Sequence, residues 1–87
     1  MSQSPKTRDD VTIADLRGLR CPLPVLKTRN RLRKLAEGDR LQVLTDDPLA
    51  SLDIPNFCRE YGQPLVETDR LEGDAAVFLI ERRGELR

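Results

Sequence analysis

A two-layer α/β (α+β) sandwich of order β-α-β-α-β-β is the fold class the sequence predicts, and three observations predict it. Two stretches with apolar residues at helical spacing lie between short β-rich runs. The last two runs are joined by the turn Leu71-Glu72-Gly73-Asp74, which makes an antiparallel hairpin. Gly18, Gly38, Gly62 and Gly73 fall between these segments, where chain reversals need them. A helix between two strands implies a parallel pair with a right-handed crossover. Adding the hairpin gives a four-stranded mixed sheet with both helices on one face.

The elements follow in order. Val11–Leu16 (VTIADL) is β-branched and partly alternating, a first strand that ends at Arg17-Gly18. Val25, Leu26, Leu32, Leu35 and Ala36 then recur at helical spacing, so a helix runs from about Pro22 to Ala36. Pro22 and Pro24 suit its first turn, where a missing N–H costs nothing. Arg29 and Arg33 fall within its apolar arc, with Lys27 and Lys34 opposite. Arg40–Thr45 (RLQVLT) alternates as a second strand. Asp47 is a candidate N-cap with Pro48 at the first helical position. The second helix carries Ala50, Ile54, Phe57, Cys58 and Tyr61 on one face and stops at Gly62, with Pro55 expected to kink or restart it. Asp53 reads as a local cap before Ile54-Pro55. Leu65–Asp69 and Ala75–Arg82 are the hairpin strands.

The 87 residues make one domain, expected over residues 11–83, with a polar tail at 1–10 and a short C-terminal tail at 84–87. The longest apolar run is the six residues Ala75–Ile80, far below the ~20 that span a bilayer, so no membrane role is expected. There is no histidine, which excludes Ser-His and Cys-His pairs and any His-containing zinc site. Two cysteines cannot complete an all-thiolate zinc site or a secreted disulfide scaffold, so no metal and a reduced, cytoplasmic setting are expected. Aromatic residues are 3% of the chain, which disfavours direct nucleic-acid binding by base stacking. Net charge is zero, but Leu16–Ala36 holds seven bases and no acid, whereas Asp46–Asp74 holds eight acids against two bases. That division points to charged partners.

Chemistry then rests on a thiol. In parallel βα units, sites collect at the C-terminal ends of strands, beside helix N-termini. Cys21 lies after the first strand, Asp46-Asp47 after the second, and the two loops are expected to be neighbours. At a helix N-terminus, near Arg20 and the basic helix, the thiol is expected to ionise more readily than a free cysteine. Cys58, on the apolar face of the second helix, reads as a packed core residue. No general base or oxyanion hole is legible, so the residues describe a group carrier rather than a stand-alone turnover enzyme. Two other readings stand beside it: a non-catalytic nucleic-acid-binding or regulatory module using the basic first helix, and a Cys21–Cys58 redox pair.

The segment Gly18-Leu19-Arg20-Cys21-Pro22-Leu23-Pro24, with Arg29 and the Asp46-Asp47-Pro48 and Asp53-Ile54-Pro55 segments at matching spacing, resembles the TusA/SirA-like sulfur-carrier family. The resemblance covers Val11 to Arg82. It implies a βαβαββ sandwich similar to the C-terminal domain of a bacterial translation initiation factor. It further implies that Cys21, in its Cys-Pro-x-Pro motif, accepts persulfide sulfur from a donor protein such as a cysteine desulfurase or rhodanese and relays it to an acceptor protein. Gly18, Arg20, Pro22 and Pro24 would position the motif, and Leu26, Arg29 and Asp47 would meet partners. No cofactor is implied beyond the covalent sulfur on Cys21, and an exposed monomer suits a thiol that must enter partner sites. Leu23 and Glu60 depart from residues that some members carry, an acid and an apolar side chain respectively.

Overall fold

The computed structural model describes residues 11–84 and residue 86, so the expected tail at 1–10 lies outside the described residues. Its elements run β1 (Val11–Asp15), α1 (Leu23–Arg33), β2 (Arg40–Thr45), α2 (Ala50–Glu60), β3 (Leu65–Arg70) and β4 (Ala76–Glu81). They form one four-stranded sheet in the order β1-β2-β4-β3. β1 and β2 are parallel, with Asp15 beside Leu44. β4 is antiparallel to both β2 and β3. The crossover through α2 therefore carries the chain past β4's place to the far edge, and the hairpin fills the gap. The mixed α+β sandwich read from the sequence is the fold observed.

Strand alternation positions the core. Leu41, Val43 and Thr45 of β2, and Ala76, Phe78 and Ile80 of β4, point to the helical side and are buried. Ile54, Phe57 and Cys58 of α2 and Leu32 of α1 close over them. Leu86 is also buried in this cluster. The outer sheet face is more open, with Ile13 at 61% exposure.

Three boundaries differ from expectation. α1 ends at Arg33 rather than Ala36, because Lys34 and Leu35 donate three residues back, to Arg31 and Leu32, and tighten the chain into a turn. α2 begins at Ala50, not at Pro48. The Asp47 carbonyl accepts from Ala50 N at 2.9 Å and its carboxylate from Leu49 N at 3.2 Å, so Asp47 caps the turn that leads into the helix. Pro55 does not restart α2, which is continuous from Ala50 to Glu60 around it. Its C-terminus is a Schellman motif: Gln63 N reaches back to the Cys58 carbonyl while Gly62 adopts a φ of 68°.

Candidate functional site

Parallel pairing of β1 with β2 brings the chain segments that leave their C-terminal ends to one pole of the molecule. Hydrogen bonds between the two loops hold them together there. Gly18, at a φ of 90° that only glycine takes readily, turns its N–H to Asp46 Oδ1 at 2.9 Å. Arg20 Nη1 donates to the same oxygen at 2.9 Å and to its neighbour's carbonyl, Leu19 O, at 3.0 Å. The Gly18 amide and then the Arg20 guanidinium hold the Asp46 carboxyl below the usual carboxylate range. Beside them Arg17 forks onto Asp15, at 2.8 and 2.7 Å, and keeps that carboxyl at about 2.

The Cys21 backbone is tied from the same side. Its N–H donates to Asp47 Oδ2 at 2.7 Å, an oxygen of a buried carboxylate. The Cys21–Pro22 peptide is cis. The side chain of Cys21 is exposed, and its thiol donates to Asp53 Oδ2, 3.4 Å away in the first turn of α2. Pro22 occupies the N-cap of α1, and Pro24 sits buried in the first turn.

These contacts reverse the expected acidity of Cys21. The thiol is pushed up from its ordinary value: the Asp53 hydrogen bond is the main cause, followed by partial desolvation and the charges of Asp53 and Asp47. The start of α1 leaves few amides to offset this. Pro22 and Pro24 have no N–H, and Leu23 N is already given to Arg20 O at 2.9 Å. Arg20, expected to favour the thiolate, is instead turned to Asp46.

The expected partner-facing residues are distributed unevenly. Leu26 is exposed on α1, at 47%. Arg29 is half-buried, with its Nε shielded and unpartnered. Asp47 is enclosed by the two amides it receives, so it supports the motif loop from beneath. Beside Cys21, a groove of about 330 Å³ runs between the helices, lined by Pro22, Val25, Asp53, Phe57, Glu60 and Tyr61 among others. Asp53 is the residue whose role the sequence did not disclose. Read there as a local cap, it lies inside the helix and faces the thiol. Its available signal was position, since the first turn of α2 follows the loop that neighbours Cys21.

Cys58 is buried and Cys21 exposed, and both are free thiols. Burial pushes the Cys58 thiol up to about 11. Among the described residues, no group of three or more His, Cys, Asp or Glu side chains is arranged to hold a metal ion. No helix among them is long and apolar enough to cross a membrane.

Comparisons with known proteins agree with this geometry. The family model of the sulfurtransferase TusA matches residues 12–82. A candidate sulfur carrier protein of Archaeoglobus fulgidus is 37% identical over 73 residues, covering 84% of this chain and 95% of that one. The crystal structure of a SirA-like protein from Desulfitobacterium hafniense superposes with a TM-score of 0.73 at 21% identity, over 86% of this chain and all of the other. That likeness confirms the sandwich, and the family match, spanning the motif loop and every element from β1 to β4, places this chain in the TusA sulfurtransferase family.

Proposed function

We propose that the chain is a sulfur carrier that takes up sulfur as a persulfide on Cys21 from a donor protein and passes it to an acceptor protein. The observation that carries this reading is the exposed Cys21 thiol on a loop whose backbone is fixed by Asp46 and Asp47. Such a loop presents the sulfur outward, beside the groove rather than within its lining, which suits reaction inside a partner's site. The family match and the Archaeoglobus relative support the same role.

The transfer balances without an oxidant. The Cys21 sulfur attacks the outer sulfur of a donor protein's persulfide, and a new S–S bond forms as the donor's S–S bond breaks. The donor cysteine leaves as a thiolate and takes up the proton that Cys21 gives up. Passing the sulfur on repeats the exchange, with Cys21 now the leaving group.

The test is direct. Incubation with a cysteine desulfurase, cysteine and pyridoxal phosphate should add the mass of one sulfur to the chain, and a reducing agent should remove it. Cys21→Ser should show no such gain. Equal loading of the serine variant would refute the reading.

A further inference from the structure

Cys21 is surrounded by acids that have different tasks. Asp46 is occupied by Gly18 and Arg20, and Asp47 by the amides of Cys21 and Leu49. Asp53 is the one that meets the sulfur, with Oδ2 3.4 Å from Sγ. The bases of the same loop do not offset it, since Arg17 lies on Asp15 and Arg20 on Asp46. On α1 the next charged residue is Lys27, six positions beyond Cys21. Along the groove from Asp53 lie Glu60, at the end of α2, and Tyr61, its C-cap, while Arg59, the one cation of α2, is given to Asn56 Oδ1 at 2.6 Å. The thiol therefore faces negative charge from the loop before α2 and from α2 itself.

We propose that Asp53 is a positioning residue that holds Cys21 as a protonated, hydrogen-bonded thiol in the free chain and so shields it from small electrophiles and oxidants. An ionised sulfur would sit against a carboxylate with no proton between them, and the geometry penalises that state. The thiolate is the reactive form, so a carrier kept protonated between partners reacts slowly with anything that does not alter the surroundings of Asp53. This inference deepens the sulfur-carrier reading and concerns the same thiol, but its test needs no sulfur donor.

The experiment follows the rate of Cys21 alkylation by iodoacetamide against pH, with the Cys21 and Cys58 peptides resolved by mass. Asp53→Asn should lower the midpoint by on the order of one pH unit and raise the rate at neutral pH several-fold. Asp53→Glu, which keeps the carboxylate, should retain a midpoint nearer that of the natural chain. Circular dichroism verifies folding, and Asp53→Ser replaces the asparagine variant if that one does not fold. A midpoint that stays or rises in the folded Asn or Ser variant overturns the proposal. Failure of persulfide loading would instead refute the carrier role and leave the midpoint comparison standing.

Discussion

Asp47 uses its two oxygens for two different segments. Oδ1 closes the turn before α2 through Leu49 N, and Oδ2 reaches Cys21 N across 26 positions of sequence. The first of these was legible, because an aspartate before a proline is a capping signal whose partners lie close in the chain. The second was not, since a long-range partner depends on how β1 and β2 pair. The burial of this carboxylate makes its contacts matter. Asp47→Ala leaves two backbone donors without their acceptor and is expected to cost about 2–3 kcal/mol. Asp47→Asn keeps an acceptor oxygen and should cost less. Urea denaturation of both variants provides the comparison, and a loss below about 0.5 kcal/mol in the alanine variant would show that the contacts contribute little.

Helix α1 shows where periodicity informs and where it misleads. Its buried line is Pro24, Thr28 and Leu32, spaced four apart. The apolar arc drawn from Val25, Leu26, Leu32, Leu35 and Ala36 shares Leu32 with it but centres to one side, because threonine and proline are not counted as core residues. That offset drew Arg33 into the expected arc, whereas Arg33 is exposed and Arg29 alone of the two is half-buried. In helix α2 four of the five residues of the expected face, Ala50, Ile54, Phe57 and Cys58, are buried, whereas Tyr61 caps the helix and is 42% exposed. Leu32→Ala should destabilise the fold by about 2–5 kcal/mol, since Leu32 is completely buried. Leu26→Ala, on the exposed side, should change stability by less than about 0.5 kcal/mol. Thermal or urea unfolding of the pair distinguishes the faces, and equal losses would refute this assignment.

At the level of the molecule, strand order was only partly accessible. Element order and the hairpin follow from local signals, but the insertion of β4 between β2 and β3 requires knowing which edge the second crossover reaches. Global stability also carries a signature of the buried thiol. The folded state holds the Cys58 proton more tightly, to about 11 against an ordinary 9.0, so the unfolded chain releases it first as pH rises. The contribution is intact below about pH 9 and declines towards pH 11, by at most about 2–3 kcal/mol. Urea denaturation across that range should show the decline in the natural chain and a shallower one in Cys58→Ala. Identical slopes would exclude Cys58 as the cause. The shared pole of the β1 and β2 exits has a consequence for traffic. Cys21 is exposed at that pole, so a protein seated over it covers the thiol. On the proposed sulfur-carrier role, a donor and an acceptor that both meet this pole would take turns, the carrier leaving one before meeting the next, as a ferry does and a bridge does not.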